Sequence, residues 1–247
     1  MLGFSLLDYG ALAFFITAWL SYHIAVELTP ARHGGLNVRM NEHRRAWMEQ
    51  MLVRENRMVD ANIMASLQNG TAFFASTSLL AIGGVLTLLR LTDDVVTFMA
   101  EMPFGLTTTR LAWEVKVIGL AVVFVYAFYK FAWSYRIFNY SAILVGAVPR
   151  IEDGNEQARA AASRAAAMNI VAGRHFNRGQ RAFFFALAYL GWFVSPYLFM
   201  AATAACLFVM WRRQFASDAI AALDDQTQGQ ELDQGRGRRS GVYPASR

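Results

Sequence analysis

The 247-residue sequence contains one cysteine, Cys206, and four histidines. A single cysteine excludes a disulfide within the chain and a zinc finger, because both need further sulfur ligands at fixed spacing. The sequence also lacks His-Glu-x-x-His, Gly-x-Ser-x-Gly, a Walker loop and Cys-x-x-Cys-His, so no known catalytic motif indicates an enzyme. A b-type haem in a membrane needs two inward histidines, and only His23 lies in a predicted span. We therefore expect no metal and no cofactor.

Charged residues are scarce, at 17%, whereas hydrophobic residues make up 55% of the chain and the mean hydropathy is +0.28. This composition is typical of a membrane protein and leaves no room for a large soluble domain. The sequence pI is about 9.6. Because the arginines lie mostly beside the apolar runs and no nucleic-acid module is present, we expect no nucleic-acid partner.

The longest apolar stretch runs from Leu111 to Pro149. A helix needs roughly 20 apolar residues to cross a bilayer core, so one helix here would cross it and project beyond it. The sequence predicts an all-α polytopic membrane protein with four spans, at about 6–26, 72–89, 113–135 and 182–211. The first is interpreted as a retained span, since it lacks the charged start and cleavage site of a signal peptide.

The second and third spans are predicted to extend into the cytoplasm. Apolar positions at helical spacing before the second span predict one unbroken helix over about 41–89, whose half at 41–71 lies antiparallel to the extension of the third span at 136–148. An alanine-rich helix at about 156–176 should pack on both. Residues 1–217 then form a single membrane domain, and the polar segment 218–247 is predicted to be a disordered tail.

Arginine distribution predicts the orientation. Six arginines lie between positions 32 and 57 and seven between 136 and 181, which places these connections in the cytoplasm and the N-terminus outside. Pro196 predicts a kink within the last span. Arg212 and Arg213, which follow the last span, then lie outside, against the arginine distribution. Either these two arginines are exceptions to the rule, which we favour, or the last span is a re-entrant hairpin that returns the tail to the cytoplasm.

Candidate functional residues lie mainly on the third span. Glu114 and Lys116 at its outer end are candidates for a pore or a substrate contact, or else lie at interface depth. A stripe on the inner half could contact a lipid headgroup, a quinone or an ion, although an aromatic belt with cations is the simpler interpretation. The stripe and its neighbouring lysine comprise Tyr126, Tyr129, Lys130, Trp133, Arg136 and Tyr140.

Two further groups combine charges on one helix. Arg54, Glu55, Arg57 and Asp60 form a charged knot that we expect to fix helix register, with Asp60 pairing with Arg57 or Arg136; lipid phosphate binding or an ion path is the alternative. His23 and Glu27 lie one turn apart and could hold a metal or relay a proton, but an interfacial hydrogen bond is the more common role of such a pair.

Several of these segments together resemble a known family. They are RRAWM, VRENRMVDANI and FFASTSLLAIGG between Arg44 and Gly84, the Leu111–Pro149 stretch, and FNRGQRAFFFALAYLGWFVSP with RRQFAS near the end. The chain resembles the bacterial and plant integral membrane proteins filed as domain of unknown function five-nine-nine, over about Leu6 to Ser217. The resemblance implies a multi-span membrane protein and supplies no catalytic residues. We expect the protein in the bacterial inner membrane.

Three functions remain open at this point. The first is a non-enzymatic scaffold or accessory subunit that associates with itself or with another membrane protein, with the lipid bilayer and a bound lipid as further contacts. The second is a homo-oligomeric channel or transporter, and the third is an enzyme acting on lipid or quinone. The absence of a reaction motif places them in that order.

Overall fold

The computed structural model describes residues 3–28, 35–101, 109–150 and 156–223, and within these residues it contains helices and no strand. The helices are α1 (Leu6–Glu27), α2 (Leu36–Val53), α3 (Met58–Arg90), α4 (Thr92–Glu101), α5 (Arg110–Ala147), α6 (Glu156–Tyr189), α7 (Gly191–Val194) and α8 (Pro196–Phe215). The all-α prediction is thus confirmed. Among the described residues three helices, α1, α3 and α5, are long and apolar enough to cross a membrane.

The predicted continuity of the longest apolar stretch is confirmed by α5. Its 38 residues correspond to about 57 Å at 1.5 Å per residue, roughly twice a bilayer core. The helix begins after Thr109, whose side chain accepts a hydrogen bond from the Ala112 N–H, and it ends before Pro149. Since proline disfavours helical backbone at the residue before it, the C-terminal boundary follows from the sequence.

The predicted single helix over 41–89 is wrong, because the chain breaks between α2 and α3. Arg54 takes an extended conformation, and the Asn56 side chain accepts a hydrogen bond from the Met58 N–H at 2.8 Å. The break lets α2 fold back along the neighbouring helices. Met48, Met51 and Leu52 are thereby buried, whereas a straight helix would carry them past the end of α5.

The extension of α5 packs against two helices, α2 and α3, in place of the one predicted helix. The start of α3 runs antiparallel to it, as Gln68 Nε2 donates to Asn139 Oδ1 at 2.6 Å, while α2 contributes its methionines to a cluster with Val145 and Val148. The alanine helix α6 packs on both, as predicted. Ala158, Ala162, Ala165 and Ala166 are all buried in this cluster.

Helix α6 lies antiparallel to α5 along most of its length. Ser134 Oγ donates to the Ala172 carbonyl at 2.8 Å and Ser141 Oγ donates to the Ala165 carbonyl at 3.3 Å. Small residues allow this close approach. At Gly179, an added Cβ would lie 2.8 Å from the Phe131 ring.

The predicted fourth span at 182–211 is not one kinked helix but a helical hairpin. Ser195 is extended and caps α8 through the Leu198 N–H, and Pro196 occupies the first turn of α8, where its missing N–H costs nothing. The end of α6 and the following α7 run antiparallel to α1, as Arg181 of α6 contacts Glu27 and Trp192 of α7 contacts Asp8.

Helix α8 then returns along α1 in the parallel sense. Phe199 packs against Phe15 with ring centroids 5.1 Å apart, and the Tyr22 hydroxyl donates to the Met210 carbonyl at 3.1 Å. As a result the Arg213 guanidinium lies 5.7 Å from the ring centroid of Phe184. The end of α8 therefore lies beside the part of α6 that carries Arg178 and Arg181, so the chain turns back on itself between α6 and α8.

The helices form two packed regions. The apolar half comprises α1, residues 72–90 of α3, residues 110–131 of α5, residues 178–194 and α8, around the largest core cluster. The charged half comprises α2, residues 58–71, 132–147 and 156–177, around two smaller clusters. Helices α3, α5 and α6 each run through both halves, so they fix the position of one half on the other.

Two segments outside the predicted spans and cytoplasmic helices are helical in the structure. Residues 92–101, which lie between the predicted second and third spans, form α4. Residues 218–223 are helical and Ile220 is buried, so the prediction of disorder is wrong for these six residues. Residues 29–34 and 151–155 and the rest of the predicted tail, from residue 224, lie outside the described residues.

Candidate functional site

A cluster of charged side chains lies inside the packed helices where α1 ends. Glu27 accepts hydrogen bonds from Arg178 Nε at 3.0 Å to each carboxylate oxygen, and further hydrogen bonds from Arg178 Nη2 and Arg181 Nη2. Arg181 is only 8% exposed. His23 Nδ1 is 3.4 Å from Glu27. The predicted His23–Glu27 contact exists, but two arginines are the main partners of the carboxylate.

A cavity of about 480 Å³ opens beside this cluster, between α1, α2 and α6. We call it the arginine cleft. Its charged lining residues are Glu27, Arg45, Arg174, Arg178 and Arg181, and its amide lining residues are Asn37, Asn41 and Asn177. A second cavity of about 760 Å³ continues along α2 and α6 and shares Arg45 and Arg174 with it. Four arginines against one carboxylate make the cleft strongly cationic.

The local sequence explains how these residues meet. Arg174, Arg178 and Arg181 follow one another at steps of four and three, so they lie on one face of α6. Helix α2 crosses this face because Asn177 Nδ2 donates to Asn37 Oδ1 at 3.0 Å and because Gly173 provides space for the Arg44 guanidinium. Burial lowers the pKa of Arg44 from its ordinary value.

His175 lies close to the same charges. Its Nδ1 atom is buried and has no hydrogen-bond partner among the described residues. Burial lowers the pKa of His175, and the nearby Lys130, Arg178 and Arg174 lower it further. The imidazole is therefore held neutral next to a cationic cleft.

A second polar cluster lies at the opposite end of the apolar half. Asp8 caps α1 with Ser5 and accepts a hydrogen bond from Trp192 Nε1 at 2.8 Å. Lys116 Nζ donates to the Trp192 carbonyl at 2.8 Å and is 3.9 Å from Asp8 Oδ1. Lys116, predicted as a pore residue, thus ties α5 to the α6–α8 hairpin.

Glu114 points to a different surface from Lys116, as expected for residues two apart on a helix. Its carboxylate accepts a hydrogen bond from Arg110 Nε at 2.9 Å, and Arg110 also contacts Asp93 at 2.8 Å. This exposed network links the start of α5 to α4.

The predicted aromatic stripe lies on the outer surface of α5. Tyr129 and Trp133 are 67% and 49% exposed. The Arg136 guanidinium stacks over Trp133 and Tyr140 and donates to the Tyr140 hydroxyl at 2.7 Å, while Lys130 Nζ lies 5.1 Å from the Tyr126 ring centroid. The side chains therefore contact one another on an open surface of α5.

The charged knot connects three helices, but with different partners from those predicted. Asp60 is fully buried and accepts hydrogen bonds from Arg54 at 2.5 Å and from Trp47 Nε1 at 2.6 Å, so the predicted pairing with Arg57 or Arg136 is wrong. Arg57 instead donates to the Val148 and Pro149 carbonyls. Glu55 is exposed. The contacts fasten the α2–α3 turn to the end of α5.

Sequence reasoning missed the arginine cleft. It used Arg45, Arg174, Arg178 and Arg181 only to predict orientation, although their spacing on α6 and the acid at the end of the first span were visible signals. The described residues contain no group of three or more histidines, cysteines or acids placed to hold a metal. The chemistry available in the cleft is therefore binding of an anion through guanidinium and amide groups.

Comparison with known proteins agrees with the resemblance seen in the sequence. Residues 10–219 match the family model described as protein of unknown function, DUF599. No curated protein and no solved structure matches the chain.

Proposed function

We propose that this chain, which belongs to the family of proteins of unknown function DUF599, is an integral inner-membrane protein that works as a self-associating, non-enzymatic scaffold or accessory subunit. The proposed membrane portion is the apolar half, and the charged half is proposed to stand in the cytoplasm. Three helices suited to crossing a membrane support the first statement.

The proposed orientation has the N-terminus outside. In the helical hairpin, Arg213 lies near Phe184 and therefore on the same end of the apolar half as Arg178 and Arg181. Arg212 and Arg213, which contradicted the arginine distribution in a chain of four spans, then agree with that distribution. The hairpin adds a crossing, so α1, α3, α5, the end of α6 and α8 are the five proposed membrane segments, with the end of α8 inside.

The observation that carries the proposed self-association is the uncovered face of α3. Only 11% of its most apolar window is buried, against 28% for α1 and 39% for α5. Phe73 and Leu80 on this face are 65% and 77% exposed, and a Cβ added at Gly70 or Gly84 would meet no atom within 4 Å. Helix α3 is thus the least covered of the three.

The pattern on this face suits a second copy of the same helix. Gly70, Thr77 and Gly84 repeat every seven residues, and Phe73 and Leu80 alternate with them at the same period. Side chains repeating at seven residues meet a partner helix along a continuous seam, and small residues let two backbones approach closely in lipid. Thr77 Oγ1 is bonded to the Phe73 carbonyl, so it needs no polar partner across the seam.

The proposal is tested by the mass of the full-length protein in mild detergent, measured by size exclusion with light scattering. We expect a dimer or larger assembly, and we expect Gly84→Leu to shift it towards the monomer because the added side chain separates the helices. Gly10→Leu is the matched control, since Gly10 is also exposed on an apolar helix and its added Cβ would meet nothing.

A monomer at every protein concentration would contradict the proposal, as would Gly84→Leu changing the mass no more than Gly10→Leu. The channel alternative keeps less support, because Glu114 and Lys116, two of the residues that motivated it, have partners within the chain.

A further inference from the structure

Two arginines of the arginine cleft have no counter-ion among the residues that the structure describes. Glu27 already accepts hydrogen bonds from Arg178 and Arg181. Arg45 and Arg174 line the cleft and make no hydrogen bond or ion pair with any other described residue. Both side chains are exposed to water at the cavity, and an anion bound there can accept charge-assisted hydrogen bonds from the two guanidinium groups.

Neutral donors surround these two arginines. Asn37 uses its side-chain oxygen to bind Asn177, which leaves its amide nitrogen as a donor at the cleft. The first turn of α2 carries no acidic residue, and Gly35 provides no side-chain cap. A helix N-terminus of this kind carries partial positive charge, which adds to the field of the arginines.

The apolar residues that line the cleft indicate which kind of molecule carries the anionic group. Val26 and Leu28 line the cleft at the end of the apolar helix α1, and Ile170 lines it from α6. The cleft therefore adjoins the end of a helix suited to crossing a membrane, and the proposed membrane topology puts lipid phosphates at this level. Guanidinium groups bind phosphate oxygens bidentately, and two of them with flanking amides satisfy a phosphate better than a carboxylate.

We propose that the arginine cleft binds a phosphate group between Arg45 and Arg174, borne either by a lipid headgroup or by a soluble phosphate compound. The ligand enters from the end of α1 and extends along α2 and α6 into the adjoining cavity, which shares both arginines. Binding would add a further link among α1, α2 and α6, beside the Glu27 contacts and the packing of α2 on α6.

Binding is measured on the full-length protein in detergent micelles by native mass spectrometry. Phosphatidylglycerol tests the lipid source and glycerol 3-phosphate tests the soluble source. We expect the Arg45→Gln/Arg174→Gln variant to bind about 100-fold more weakly than the wild type, because each arginine contributes about tenfold. Arg150→Gln/Arg164→Gln is the matched control, as it removes the same charge from two arginines that are also exposed but lie outside the cleft.

Thermal midpoints of both variants establish that they are folded, and Arg45→Lys/Arg174→Lys is expected to bind within about tenfold of the wild type because the charge remains. Tighter binding of phosphatidylglycerol identifies the lipid source, and equal binding of glycerol 3-phosphate identifies the soluble one. The proposal is overturned if neither probe binds the wild type, or if the control variant loses as much affinity as the cleft variant.

Discussion

The ion pairs of Glu27 with Arg178 and Arg181 should make a measurable contribution to the stability of the folded protein. In Glu27→Gln, the carboxylate that accepts hydrogen bonds from Arg178 and Arg181 becomes a neutral amide. Both guanidinium groups then lose their counter-charge in a site where the side chains of Arg181 and Glu27 are only 9% and 17% exposed.

The magnitude follows from this burial. Removing one partner of a buried ion pair costs about 3–5 kcal/mol, because the remaining charge stays desolvated. The Arg178 side chain is 30% exposed, so water stabilises it in part and we expect a loss near the lower limit, about 3 kcal/mol. For a chain of this length, that corresponds to a fall of about 6–12 °C in Tm.

The assay is a thermal scan of the purified protein in detergent, followed by intrinsic tryptophan fluorescence. Glu114→Gln is the control, since Glu114 pairs with the exposed Arg110, and we expect its Tm within about 2 °C of the wild type. Arg178→Gln should also destabilise the protein, and the double variant Glu27→Gln/Arg178→Gln should lose less than the sum of the two single changes.

Equal shifts for Glu27→Gln and Glu114→Gln would refute the argument that burial gives the Glu27 cluster its strength. Additive losses in the double variant would show that Glu27 and Arg178 do not act as a pair. A high-salt measurement provides a further check, because screening weakens exposed pairs more than buried ones.

Two other predictions concern close packing and pH. Gly179→Ala should lower the free energy of unfolding by about 1–3 kcal/mol, because the new Cβ would lie 2.8 Å from the Phe131 ring. Gly146→Ala is the control, and it should leave the free energy of unfolding unchanged or slightly higher because its Cβ would meet no other atom. Equal thermal midpoints for the two variants would contradict the prediction. Burial and nearby cations hold the pKa of His175 below its ordinary value of 6.5. The His175 side chain therefore takes up a proton more readily in the unfolded chain than in the folded protein. Its contribution to stability is complete above about pH 6.5 and is lost as the pH falls towards the lowered pKa. His175→Gln should make Tm less dependent on pH between about 7 and 5, and an unchanged slope would contradict the assignment.

The break between α2 and α3 shows where sequence reasoning failed. Residues Arg54 to Arg57 include no proline or glycine, and the apolar periodicity continues on both sides, so the pattern favoured one helix. The only local signal was Asn56, whose side chain accepts a hydrogen bond from the backbone of Met58. What ends α2 is tertiary: Arg54 binds the buried Asp60, and Arg57 binds the carbonyls that end α5.

The hairpin at the C-terminus carried a clearer signal. Ser195 followed by Pro196 is a typical helix start, with a capping side chain and a proline in the first turn. The apolar character of 182–211 led instead to one kinked span, and the misplaced Arg212 and Arg213 were the evidence against it. Charge distribution thus contained topological information that hydropathy alone did not.

The sequence by itself determined the helical class, the continuous α5 and the packing of the alanine-rich helix, because hydropathy over long runs and the absence of breakers act locally along the chain. Only the tertiary structure decided the fold-back of α2, the return of α8 and the meeting of Glu27 with Arg178 and Arg181. These features join residues up to 188 positions apart, as in the Tyr22–Met210 hydrogen bond. Which distant charges become neighbours depends on how whole helices pack, and no local pattern specifies that.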